Sequence, residues 1–134
     1  MPNIKEIEGI GPSYAEKLEV CDIKSTDILL EKGASALGRK EIAEKSGINE
    51  KVILKWVNMC DLFRVKGIGQ EYSELLEAAG VDTVPELAQR NPGNLIDAMT
   101  VVNKEKNLVR KVPAQTAVEG WIAHAKALPR VVNH

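Results

Sequence analysis

Two short segments have the residue types that could hold an anion. Gly9-Ile10-Gly11 and Gly67-Ile68-Gly69 each lie between a short apolar stretch and an amphipathic run. Glycines allow a tight backbone turn and let a second molecule come close. The first amides of a following helix have no partners within that helix. With the helix dipole, they form a small anion site suited to a phosphate. The residues that follow the two turns differ. After the first comes Pro12-Ser13-Tyr14, with Lys17 about one helical turn further on. Pro12 has no N–H to offer, but the Ser13 hydroxyl can hydrogen-bond a phosphate. After the second comes Gln70-Glu71-Tyr72, which puts a carboxylate where a phosphate would sit. The candidate phosphate contacts are Gly9, Ile10, Gly11, Ser13 and Lys17 at the first turn, and Gly67, Ile68 and Gly69 at the second. In the competing reading of either turn, the central isoleucine plugs the core and the glycines serve the bend alone.

Two basic clusters could add long-range attraction. Arg39 and Lys40 follow Gly38 near the start of a helix, and Lys104, Lys106, Arg110 and Lys111 fall within eight residues, diluted only by Glu105. The second cluster is the best candidate for a positive patch, but no aromatics are interleaved with it, so it does not resemble a base-stacking surface for single strands. The alternative for both is a solvated face.

Other chemistry has little material. With His124 and His134 as the only histidines, a Ser–His–Asp centre cannot be assembled credibly. His124 has no Cys, Asp or second His at ligand spacing. The Gly-Ile-Gly turns lack the Gly-Lys-Ser/Thr that completes a P-loop. No enzyme activity, metal or cofactor is expected. Trp56 and Trp121 lie on apolar helical faces and read as core residues. Cys21 and Cys60 lie beside apolar residues and read as small core residues as well.

The elements that must position these residues come in two similar halves. The segment from Glu8 to Glu19 aligns with that from Lys66 to Glu77 at a shift of 58 residues, and Ile23, Ser25 and Leu29 then fall on Val81, Thr83 and Leu87. The closing segments align at a shift of 65: Ile53, Trp56, Val57 and Cys60 fall on Val118, Trp121, Ile122 and Ala125. Both sets have the i, i+3, i+4, i+7 spacing of one helical face. Each half opens with a Gly-Ile-Gly turn and closes with a Trp-bearing helix. The expected repeats are 1–62 and a longer 63–134.

Helix punctuation is dense. Gly11-Pro12 opens a helix with proline at its first position. Ser25 and Thr83 are N-cap candidates. Gly47 can end one helix in the left-handed conformation, Asn49 can cap the next, and Ile48 and Ile53 suit a hydrophobic staple. Asn91-Pro92 and Val112-Pro113 should open two later helices. The run 107–112 is the only strand candidate. The fold class expected is all-α, with about ten short helices packed as one compact body.

Ala15 and Ser73 stand four residues after the second glycine of each turn, and Leu18 and Leu76 three beyond. This pattern of small and apolar positions resembles the helix-hairpin-helix motif, over about 20 residues in each half. The pair resembles a tandem helix-hairpin-helix domain, and the whole chain resembles a bacterial family of unknown function with that character. The resemblance implies two hairpins, each holding one nucleic-acid backbone without reading bases. Such contacts position a protein but specify no sequence. DNA-binding hairpins commonly carry Lys or Arg in the first turn after the second glycine, and here neither does.

Composition sets the remaining bounds. The chain has 134 residues, 44% hydrophobic and 28% charged, with a net charge of −1. That is the size and make-up of an ordinary globular domain. Near-neutral charge removes the simplest argument for nucleic acid, although residues 91–134 carry six basic side chains against three acids. No apolar run reaches membrane-helix length, and Met1 to Glu8 contains no signal-like apolar core. The expectations are a cytoplasmic monomer without a membrane partner and weak, sequence-independent binding of DNA or another nucleic acid. The competing class is a protein-interaction or scaffold module on the same fold.

Overall fold

A computed structural model describes residues 3–7 and 9–133. All regular elements among them are helical. A 3₁₀ turn, Ile4–Glu6, is followed by α1 (Pro12–Glu19), α2 (Thr26–Gly33), α3 (Ala36–Ser46), α4 (Glu50–Leu62), α5 (Gln70–Ala78), α6 (Val84–Ala88), α7 (Pro92–Lys106) and α8 (Gln115–Ala127). The strand expected over 107–112 is absent. Asn107 takes a left-handed C-cap conformation at φ 50° and ends α7. An isolated bridge pairs Asn3 with Ser25.

Local chemistry explains where these helices begin and end. Ser25 accepts a hydrogen bond from the Ile28 N–H, Thr83 from Glu86 and Asn91 from Asn94, each satisfying an amide that its helix cannot. Ser35 does the same for α3 through Gly38, a cap not anticipated from sequence. Gly47 closes α3 at φ 77°, and Asn49 Oδ1 accepts from the Lys51 N–H at 2.8 Å. Pro12 and Pro92 occupy early helical positions. Pro113, by contrast, is buried ahead of α8, which starts two residues later at Gln115.

The chain forms two compact units. One is Met1–Asp61 together with Val131–His134, and the other is Leu62–Arg130. In the first, α1 packs on the 3₁₀ turn and α3, and α2 packs on α3. Its buried apolar side chains include Ile10, Leu18, Ile23, Leu29, Ile53 and Trp56. In the second, α5 packs on α7, and α8 packs on both α6 and α7. Its core joins Leu62, Ile68, Leu75, Leu76, Leu87, Leu95, Met99 and Trp121. With few aromatics in the chain, burial of branched aliphatic side chains supplies most of the apolar stabilisation, about 25 cal/mol per Å² removed from water.

The first unit also takes in the C-terminal residues. Val132 is buried, and the Asn133 N–H donates to the Ala34 carbonyl at 2.8 Å. The Arg39 guanidinium donates to the carbonyls of Gly33 (2.8 Å), Ala34 (3.2 Å) and Asn133 (2.7 Å).

Candidate nucleic-acid interface

The two Gly-Ile-Gly turns have the same backbone. Gly9 and Gly67 have φ values of 94° and 95°, in the left-handed region that glycine enters without a Cβ penalty. The Ile10 N–H donates to Ile7 O, and the Ile68 N–H to Val65 O, both at 3.1 Å. Gly11 and Gly69 are then extended N-caps for α1 and α5, and their carbonyls accept from Ala15 and Ser73 at 2.9 Å. Ile10 and Ile68 are buried, as are the small residues Ala15 and Ser73 and the apolar Leu18 and Leu76. After each helix a left-handed residue reverses the chain: Asp22 at φ 61° and Gly80 at φ 95°.

Each turn rests on a tryptophan from the closing helix of its own unit. A Cβ on Gly9 would lie 3.5 Å from Trp56 Nε1, and one on Gly67 would lie 2.9 Å from Trp121 Nε1. Tyr14 meets Trp56 edge-on at 5.1 Å between ring centroids, and Tyr72 meets Trp121 at 5.2 Å. Both tryptophans are buried, in agreement with a core role, but their seat beneath the glycines could not be read from spacing alone.

The surfaces above the turns differ. No side chain caps α1, and its first turn has no acid. Gly9, Gly11, Ser13 and Lys17 are exposed, and Lys17 Nζ stands 5.7 Å from the centroid of the Tyr14 ring, within cation–π range. At the second turn Gly67 and Gly69 are exposed, and so is Glu71, in the first turn of α5. There the backbone is held from outside: the Lys66 N–H donates to His124 Nδ1 at 3.0 Å.

The basic residues separate into two kinds. Lys40 is exposed, but Arg39 is buried, contrary to its expected place in a positive patch. Its guanidinium serves three backbone carbonyls, so it holds the C-terminal segment rather than facing a ligand. Burial pulls the Arg39 pKa below its usual value and Glu50 opposes that shift; a guanidinium still stays charged. Lys104, Lys106, Arg110 and Lys111 are all exposed. The backbone carrying them is fixed, because Asn103 Nδ2 donates to Val109 O at 3.1 Å and Asn103 Oδ1 accepts from the Val109 N–H at 3.0 Å. Lys104 and Lys106 also lie in the last turn of α7, where positive charge complements the helix dipole.

Neither cysteine forms a disulfide, and both are buried. The Cys60 thiol is pushed up, first by burial and then by the charges of Asp27 and Asp61, which suppresses the reactive thiolate. Among the described residues no group of three His, Cys, Asp or Glu side chains could hold a metal. No helix among them is long and apolar enough to cross a membrane.

The chain belongs to a family described as a domain of unknown function (DUF4332), whose model matches residues 8–128. No curated protein and no solved structure matches it.

Proposed function

We propose that this protein binds nucleic acid, DNA in the first instance, through the phosphate backbone, weakly, without sequence preference and without catalysis. In this reading Gly9–Gly11 and Gly67–Gly69 are the bends of two helix-hairpin-helix motifs, and the first of them is the principal contact. The observation that carries the proposal is the start of α1, which has exposed glycines, no side-chain cap and no acid in its first turn, with Ser13 and Lys17 exposed nearby. The side-chain oxygens of Ser25, Ser35, Thr83 and Asn91 occupy the corresponding amides of α2, α3, α6 and α7, so α1 keeps donors that those helices have spent. Lys40 and the exposed quartet of Lys104, Lys106, Arg110 and Lys111 supply attraction at longer range. Glu71 favours the competing reading, a protein-interaction module, for the second turn.

Fluorescence anisotropy of labelled duplex and single-stranded oligonucleotides across a salt series tests the proposal. The expected result is micromolar, sequence-blind binding whose log affinity falls linearly with log salt, by about 0.9 per phosphate neutralised on duplex. Absence of binding at low salt, where electrostatic contacts are strongest, would reject it and turn attention to protein partners.

A further inference from the structure

The second unit contains a groove that the phosphate contact proposed at the first turn does not use. It has a volume of about 460 Å³ and lies between the second Gly-Ile-Gly turn and α8, with Lys66, Gly67, Thr116, Gly120, Trp121 and His124 on its walls. That is within the range of about 300–1,000 Å³ seen for small-molecule sites. Ala117 adds an apolar surface. Among the described residues no acidic side chain lines it.

Three observations indicate that the groove is kept open for something outside the chain. Trp121 is only 5% exposed, yet its indole N–H has no acceptor among the described residues. Every fully buried polar side-chain atom there does have a partner, so this N–H is not sealed in the core and opens outward where Trp121 lines the groove. Glycine at position 67 leaves that donor uncovered, since a Cβ would lie 2.9 Å from Nε1. Gly120 lies inside α8, where glycine weakens a helix relative to alanine, and a Cβ there would meet nothing within 4 Å. Packing among the described residues therefore does not call for a glycine at 120. By the 65-residue alignment, Thr116, Ala117 and Gly120 stand where α4 has Lys51, Val52 and Lys55, so α8 carries the smaller side chain at each of these three groove positions.

The donors define the occupant. His124 Nδ1 accepts from the Lys66 N–H, so in the neutral ring the proton sits on Nε2, which is left as a donor. Trp121 Nε1 is a donor only, and Lys66 adds an ammonium. We propose that this groove binds a small anionic molecule with a flat apolar body, an arylcarboxylate being the simplest, with Trp121 Nε1, His124 Nε2 and Lys66 Nζ on the carboxylate and Ala117 and Gly120 beneath the ring. The site is independent of phosphate binding at the first turn, because none of the amides invoked there takes part.

Titration of the ¹⁵N-labelled full chain with 2-naphthoate, followed through its two tryptophan indole N–H signals, tests the inference. A saturable shift of the Trp121 signal is expected, with the Trp56 signal unmoved. 2-Naphthamide, which has the same ring without the charge, should bind about tenfold more weakly, as loss of charge-assisted hydrogen bonds implies. Gly120→Leu should abolish the shift while far-UV circular dichroism stays unchanged. Lys66→Gln, at an exposed position, should weaken naphthoate about threefold, and it decides the matter if Gly120→Leu perturbs the fold. No saturable Trp121 shift at millimolar naphthoate, equal binding of the amide, or full binding by Lys66→Gln would each overturn the proposal.

Discussion

Gly9 and Gly67 share a φ within one degree of each other, and each turn sits over a tryptophan ring flanked by a tyrosine. Above that shared frame the two units diverge. Neither α1 nor α5 has a side-chain cap, but the first presents Ser13 and Lys17 at its start, while the second puts Glu71 at the place of Ser13 and anchors the preceding backbone to His124. The contrast separates two jobs that a Gly-Ile-Gly turn can do. The buried half, an isoleucine and an aromatic pair, forms the bend. The exposed half, one or two residues in the first turn, decides whether the bend can receive an anion. One half can be kept while the other changes sign.

The largest effect expected on the molecule distinguishes buried from exposed cations in the first unit. Arg39→Ala should lower stability by about 2–4 kcal/mol, because three carbonyls lose charged donors in a buried setting, whereas Lys40→Ala should change it by less than about 0.5 kcal/mol. Urea denaturation checks both, and equal effects would show that Arg39 is not the anchor of the C-terminal segment. A second experiment compares the turns directly. Gly67→Ala combines left-handed strain with a contact on Trp121 Nε1 and should cost about 2–3 kcal/mol. Gly9→Ala, with 3.5 Å of clearance, should bear the strain alone, about 1–2 kcal/mol. Equal losses of stability would mean that the tryptophan seats do not differ in tightness.

Much of the frame was legible in the sequence because it is local. A serine, threonine or asparagine before an apolar run caps the helix within three residues, and Ser25, Thr83 and Asn91 do so. The apolar periodicity around Trp56 and Trp121 indicated two buried helix faces, and both tryptophans are buried. Long-range partners were not legible. Arg39 next to Lys40 looks like a surface patch until Asn133, 94 residues later, returns to it. The run 107–112 has strand-like residues, but the Asn103 carboxamide meets the Val109 backbone with both its polar atoms and makes it a pinned loop. The groove beside Trp121 depends on which face of α8 meets the second turn, which helical spacing alone does not fix.

Two smaller effects test the exposed halves of the turns. Ser13→Glu should weaken duplex binding about fivefold and Glu71→Lys, a change of two charges, should strengthen it by at least as much, with helicity unchanged; each unit of charge at a helix start accounts for up to roughly 1 kcal/mol. Equal affinity of both variants and the parent protein would abolish the proposed difference between the turns. Smallest is the contribution of the pinned basic loop. Lys104→Gln or Lys111→Gln should each reduce the salt slope by about one if that lysine touches a phosphate, and an unchanged slope would assign the lysine to the helix end or to solvent.

The return of the C-terminal segment bears on the order in which the protein is completed as it is made. Leu62–Arg130 is one uninterrupted stretch, so the later-synthesised unit has every residue it needs by position 130. The earlier one has most of its residues by position 61, but Arg39 and the Ala34 carbonyl have no Asn133 to bond until the ribosome has translated through position 133. At about 5–20 residues per second, that leaves the first unit open for several seconds, a window in which a chaperone or a neighbouring nascent chain could meet its unclosed edge.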